Sequence, residues 1–437
     1  MTRPPLLLDG LARRGLLGLA FDDAPIGPAG PPGARVARVR RDSPAHRAGI
    51  APGDLLQTVR SQPVDTPRAA RAALAGPLVG TPIALTIARD GVARTVSLAP
   101  APWPLEHEDD LAVTYRAVPA GDHRLRAVVT TPASGAGPWP TVLWVSGCSL
   151  GSVERPAPEA PLRCLVRALG RAGFAVVRVD KRSVGDSEGP PLADATLSDE
   201  RHDHAAALRF TLGQPWCDRV FLLGHSLGGL LAPQLCAEVG PDRVAGLILY
   251  GVGSLTWAEY LARHTRAVGA LRGLDPDAVD ALVRRRQEAE AWLLVAGLPM
   301  EGFFAHCPAA RADPGAYGID PDGRIQGRAM GYWREVQTSP VIAPLRAAAR
   351  PTLVAWGSCD WQSYRDEHLA LHDALTHTHP GLSAWAEIPE ADHEFAHRTS
   401  LADAFARWGG GPYAPAVDPT FLGWLKAQCP SRTTRVG

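Results

Sequence analysis

From about residue 120 onward, short apolar runs and helix-length amphipathic segments take turns along the chain. LRAVVTTP, TVLWVSG, FAVVRVD, RVFLLGHS, VAGLILYG, PTLVAWGS and LSAWAEIP read as strands rich in Val, Leu and Ile. Between them, PLRCLVRALGRAG reads as a helix ended by Gly173, and LSDERHDHAAALRFTLG as a helix capped by Ser198. Apolar strand runs without in/out alternation have both faces covered, and their alternation with helices predicts a doubly wound, mostly parallel sheet. Residues 254–345 interrupt this rhythm. They are helix-rich, carry Trp257, Tyr260, Trp292, Phe303, Phe304, Tyr332 and Trp333, and read as an insertion acting as a lid.

The first hundred residues have a different pattern. ARVARVRR alternates as a half-buried strand does, and SPAHRAGIAPGD is turn chemistry around a short helix. LLQTVR is a strand, TPRAARAALAG a helix with Thr66 as cap and Pro67 at its first position. PIALTIARDGVARTVSLA reads as two strands joined by Asp90-Gly91, a hairpin signal. APAPWPLEHEDD then runs proline-rich to acidic, as a linker does. The predicted layout is a small, mainly β domain over 1–100, a linker over 101–110 and an α/β domain over 111–437.

Composition narrows the picture. Lys plus Arg and Asp plus Glu both number 45, so no charge excess favours nucleic acid or an anionic membrane. Lysine occurs only at 181 and 426; the abundance of arginine, alanine, glycine and proline reads as coding bias. Seven cysteines without a CxxC pair fit free thiols in a reducing compartment. Asp9, Arg13 and Arg14 interrupt the first apolar residues, and no stretch reaches membrane-span length. A cytoplasmic protein is expected.

Gly224-His225-Ser226-Leu227-Gly228 fits G-x-S-x-G between a strand and a helix. A sharp turn there lifts the serine oxygen above the sheet, and the helix start aims free N–H groups at the site. A serine hydroxyl needs a base. IPEADHEFAH offers His393 just past a strand, and PTLVAWGSCDW offers Asp360 at the same edge of the sheet. Asp392 adjoins His393, but sequence neighbours usually point apart, so Asp360 is preferred. His225 reads as a packing or substrate-contact residue. The HDH run at 202–204 and the HTH run at 377–379 raise a metal site, but residues 202 and 204 of a helix face different ways. Neither a metal nor any other cofactor is expected.

With Ser226, Asp360 and His393 in that chain order, residues 110–430 resemble the α/β-hydrolase fold family. The resemblance implies acyl transfer through an acyl-enzyme, with an oxyanion hole formed by the N–H groups of Leu227 and Cys148. The family commonly has His-Gly where this chain has Ser146-Gly147. DKRSVGDSEG at 180–189 matches a loop of family esterases and peptidases, with Arg182 and Asp186 as loop braces. The N-terminal segment, through SPAHRAGIAPGDLLQTVRSQPV and its closing hairpin, resembles a PDZ domain of the bacterial protease-associated type. Gly15 to Phe21 then stands where such a domain holds a peptide carboxylate, followed by the unusual stretch APIGPAGPPG. Binding a peptide tail and packing on a neighbour both stay open for it.

Three classes of function follow. The first is a serine esterase on a small-molecule ester. The second is a peptidase or aminopeptidase with the same triad, and a thioesterase or acyltransferase is a variant of the same chemistry. The third is a binding protein on a hydrolase scaffold, against which the complete triad argues. The sequence leaves the oligomeric state open.

Overall fold

The computed structural model describes residues 7–22, 33–74, 76–135, 137–155, 157–320 and 322–429. Residues 1–6 and most of the proline-glycine stretch at 24–33 lie outside the described residues. The chain divides into two compact units, one of 1–105 with 183–188, the other of 106–182 with 189–437.

The first unit is built on a sheet that runs in the order Leu19–Phe21, Ala34–Val39, Leu55–Val59, Ile83–Arg89, Val92–Leu98. Its last two strands pair antiparallel from Ile83 with Leu98 to Arg89 with Val92. Asp90 and Gly91 both take positive φ, 50° and 79°, as a two-residue turn between twisted strands requires. Thr66 caps the helix Pro67–Ala73 by accepting the Ala69 N–H, and Ser43 caps Pro44–Arg47 in the same way through His46. Within this unit Asp186 pairs with Arg13 at 2.9 Å.

The second unit holds an eight-stranded sheet. Its strands are β1 (Leu111–Ala120), β2 (His123–Pro132), β3 (Trp139–Val145), β4 (Ala175–Val179), β5 (Cys217–His225), β6 (Val244–Tyr250), β7 (Thr352–Gly357) and β8 (Ser383–Ile388). The order is β1-β2-β4-β3-β5-β6-β7-β8. β2 runs antiparallel to both its neighbours, and every pair from β4 to β8 is parallel. Central strands are buried throughout: Val220, Phe221, Leu222 and Leu223 are fully covered, as apolar runs under helices on both faces should be. β1 was not among the expected strands. Its residues alternate with polar ones, and it lies at the sheet edge.

The helix Leu197–Leu212 starts two residues earlier than a cap at Ser198 would place it. Thr196 is its cap, and Thr196 and Asp199 bond reciprocally. Glu106, Glu108 and Asp110 are held by Arg178, Arg163 and Arg171 at 2.7, 2.6 and 2.7 Å, so the acidic run is pinned by ion pairs. Between β6 and β7 come the helices of the insertion, from Trp257–Leu271 to Ile342–Ala348. Trp333 and Phe303 are fully buried there, and Trp257 stacks on Trp333 with centroids 4.4 Å apart. Most of these aromatics are core. No helix among the described residues is long and apolar enough to cross a membrane, and none of the seven cysteines is paired.

Candidate active site

β5 ends at His225, and Ser226 follows with φ of +55°, a left-handed conformation that costs a non-glycine residue about 1–3 kcal/mol. The surroundings hold it there. Its N–H donates to Tyr250 O at 2.9 Å, and its own carbonyl accepts the Gly229 N–H at 2.9 Å. The glycines are demanded by contact. A Cβ on Gly228 would lie 1.9 Å from Val145 O, and one on Gly224 2.7 Å from the Gly229 Cα. The helix Gly228–Val239 therefore starts hard against the end of β3.

Asp360 follows β7 and is 2 % exposed. Its Oδ1 accepts the N–H groups of Gln362 and Ser363 at 2.8 and 3.0 Å; its Oδ2 accepts the Ser363 hydroxyl at 2.5 Å and His393 Nδ1–H at 2.8 Å. Burial opposes its charge, but His393 beside it and the bond from Ser363 outweigh that and hold the carboxyl below its ordinary value. Burial likewise opposes the imidazolium of His393, and Asp360 outweighs it, so the ring lies above its ordinary value. Gly251, just past β6, leaves room for the ring: a Cβ there would sit 2.7 Å from His393 Cε1.

The competing candidates are occupied elsewhere. Asp392 accepts the Glu394 and Ala396 N–H groups and pairs with Arg398 at 2.8 Å, bracing the loop that carries His393. His225 Nε2–H donates to His393 O at 2.8 Å, and burial lowers its pKa to about 4. Arg182 pairs with Asp203 at 2.9 Å. His202 is exposed and His204 buried. Among the described residues no group of three or more His, Cys, Asp or Glu is placed to hold a metal ion.

Ser226, Leu227, Cys148 and His393 line one cavity of about 110 Å³, walled by apolar groups such as Leu230, Trp257, Val336 and Val341. Gly147 touches the serine: a Cβ on it would lie 3.0 Å from Ser226 Oγ. The Cys148 thiol is pushed up by burial, which keeps it protonated.

Sequence reasoning missed several residues that shape this cavity. His368 Nε2 accepts the Val252 N–H at 2.9 Å while its Nδ1–H donates to Tyr364 O at 2.8 Å; burial lowers it to about 4, so it stays neutral. Glu367 accepts the Ser254 and Leu255 N–H groups, fixing the chain as it leaves β6 for the insertion. Lys181 donates to Gly147 O and pairs with Glu200 at 2.8 Å. Burial pulls its ammonium below the usual value against the attraction of Glu200. Nothing local in the sequence marks these residues, because each acts on backbone far away along the chain.

A mostly parallel sheet with a left-handed serine at a strand-to-helix turn, and a buried His–Asp pair at the same sheet edge, define an α/β protein with a strand–serine–helix corner. The family model described as the alpha/beta hydrolase fold matches residues 156–396, and the PDZ domain model matches residues 15–99. The chain belongs to the α/β-hydrolase fold family and carries a PDZ domain ahead of the hydrolase fold. Esterase EstD of Thermotoga maritima is 28% identical over 120 residues, which is 26% of this chain and only 28% of that protein's length. Among solved structures, Est1E of Butyrivibrio proteoclasticus with ferulic acid bound is 19% identical, with a TM-score of 0.47 over 72% of this chain and 98% of its own. Proline iminopeptidase of Mycobacterium smegmatis is 19% identical, with a TM-score of 0.42 over 72% and 98%.

Proposed function

We propose that this protein is a serine hydrolase that cleaves small-molecule carboxylic esters through an acyl-enzyme. Ser226 Oγ attacks the ester carbonyl as His393 Nε2 takes its proton. Asp360 keeps Nδ1–H as the protonated side of the ring and stabilises the imidazolium. The oxyanion forms against the N–H groups of Leu227 and Cys148. His393 returns the proton to the leaving alcohol, then activates water to release the acid. The observation that carries this reading is the buried 2.8 Å contact of His393 Nδ1 with Asp360 Oδ2, in a cavity that Ser226 also lines. The apolar walls fit an acyl or alcohol group of modest size.

The peptidase reading calls for an acidic group free to meet a substrate amine. Glu367 lines the cavity; its Oε2 receives two backbone N–H groups, its Oε1 lies 3.6 Å from Arg263 without a hydrogen bond, and burial pushes its carboxyl up, away from the anion that an amine needs. That favours esters. Short-chain nitrophenyl esters assayed beside thioesters and aminoacyl and peptidyl amides separate the classes. Faster turnover of amides than of esters would reverse the assignment.

The PDZ domain is assigned a peptide tail as partner. A groove of about 630 Å³ runs beside the edge strand Leu19–Phe21, where a tail would add a strand, and Leu17, Leu19 and Leu74 give it an apolar floor. A cytoplasmic location belongs to the same reading, supported by seven unpaired cysteines.

A further inference from the structure

Three charged side chains meet, buried, behind the loop that follows β3. Lys181, Glu200 and Arg328 are 5%, 1% and 0% exposed. Lys181 Nζ donates to Gly147 O and pairs with Glu200. Arg328, contributed by the insertion, pairs with the same carboxylate and donates through Nη2 to Cys148 O at 3.2 Å. Arg328 is held in turn by Leu192 O at 3.1 Å and by the Tyr332 ring, 4.3 Å below its guanidinium. Burial opposes the charge on Glu200, but Lys181 and Arg328 outweigh it and keep the carboxyl below its ordinary value.

The covalent geometry of the backbone gives these contacts a direction. Gly147 O and the Cys148 N–H belong to one planar trans amide and point opposite ways. A cation fixed on that oxygen therefore sets where the N–H points. It also draws electron density toward the oxygen and strengthens the N–H as a donor, as hydrogen bonds in a chain polarise one another. Arg328 does the same to the next amide plane, so the loop cannot swivel about Cys148. Two cations face one carboxylate, and the surplus positive charge stands behind the loop. A buried cation is costly unless the structure uses it. The choice of residue also carries information: this chain has only two lysines against a large excess of arginine, and one of the two is here. A compact ammonium fits behind a tight backbone turn better than a planar guanidinium does.

We infer that Lys181 and Arg328, joined through Glu200, are positioning residues for the Cys148 N–H as an oxyanion donor: Lys181 orients and polarises its amide, and Arg328 fixes the amide plane that follows. The inference rests on the reading of Ser226 as nucleophile. Neither side chain lines the cavity of Ser226. Their effect is confined to the charge that develops on the carbonyl oxygen, so they act on the tetrahedral state and leave the ground state alone.

The test compares full-length wild type with Lys181→Met, Lys181→Arg and Arg328→Gln. For each variant that folds by circular dichroism and thermal melting, kcat and KM are measured on a nitrophenyl ester. So are the inhibition constants of a trifluoromethyl ketone, which binds serine as an oxyanion adduct, and of the product carboxylic acid. Loss of a direct oxyanion donor costs about 10²–10³ in kcat, and an indirect support should cost roughly 10- to 100-fold. Lys181→Met is expected to lower kcat by that factor with KM within about threefold, and to weaken the ketone by the same factor while the acid binds unchanged. Lys181→Arg should recover part of the loss. Arg328→Gln should fall on the same line relating kcat/KM to ketone affinity, and supplies the test alone where Lys181→Met does not fold. Variants that lose thermal stability but keep kcat and ketone affinity would overturn the inference and leave the ester reading standing. A wild type with neither turnover nor fluorophosphonate labelling at Ser226 would instead remove the reading beneath it.

Discussion

His225 Nε2–H donates to the main-chain oxygen of His393 across 2.8 Å, tying the residue before Ser226 to the backbone that carries the candidate base. The ring packs beside Trp144 and Tyr250, and burial lowers its pKa to about 4. The bond holds the His393 loop against the corner that carries Ser226.

His225→Ala leaves the His393 carbonyl buried without a donor. A loss of about 1–3 kcal/mol in unfolding free energy is expected from the unmet acceptor. A fall in kcat should accompany it, because the loop carrying the base is less firmly placed. Chemical denaturation and ester kinetics check the pair of effects. A variant with normal stability and normal kcat would show that this bond positions nothing.

In the proposed mechanism Asp360 sets the pH dependence. His393 must be neutral to accept the serine proton, so activity rises with pH through its pKa. Asp360 holds that pKa above the ordinary 6.5. Asp360→Asn removes the attraction while burial remains. The rising limb of the kcat/KM profile should move to lower pH, and kcat should fall by roughly 10⁴-fold as the tautomer is lost. A limb that stays in place in the variant would mean that a different group governs it.

How much of this site could be read beforehand depended on where each side chain gets its meaning. Ser226 lies in a local motif, and Asp360 and His393 each follow an apolar strand run, so strand ends and chain order led to all three. β1 escaped because LAVTYRAV alternates with polar residues at an exposed sheet edge and lacks the continuous run of its neighbours. The cap of the helix Leu197–Leu212 was misplaced by two residues because Thr196 and Ser198 are both good caps; the reciprocal bond to Asp199 decides for Thr196. His368, Glu367 and Lys181 were illegible for a deeper reason. Their partners are the backbone groups of Val252, Ser254 and Gly147, and a backbone N–H or C=O leaves no mark in a sequence.

Glu290 gives a prediction about stability in the insertion. It is 5% exposed, its Oε2 has no hydrogen-bond partner, and burial raises its carboxyl to about 7. A carboxyl raised in the folded state stabilises the fold below its unfolded pKa, near 4.5, and that contribution is lost as pH rises through 7. The loss amounts to roughly 3 kcal/mol by the rise from 4.5 to about 7. Thermal melts of wild type should therefore fall between pH 5 and 8 relative to those of Glu290→Gln, which stays neutral throughout. Parallel melting curves across that range would contradict the burial argument.

The central claim is that Ser226 is a nucleophile activated by His393. Fluorophosphonate labelling followed by peptide mass mapping tests it most directly. The expected result is a single adduct on Ser226 in wild type and none, on the same time scale, in His393→Ala. An adduct on another residue, or equal labelling of the two proteins, would contradict it.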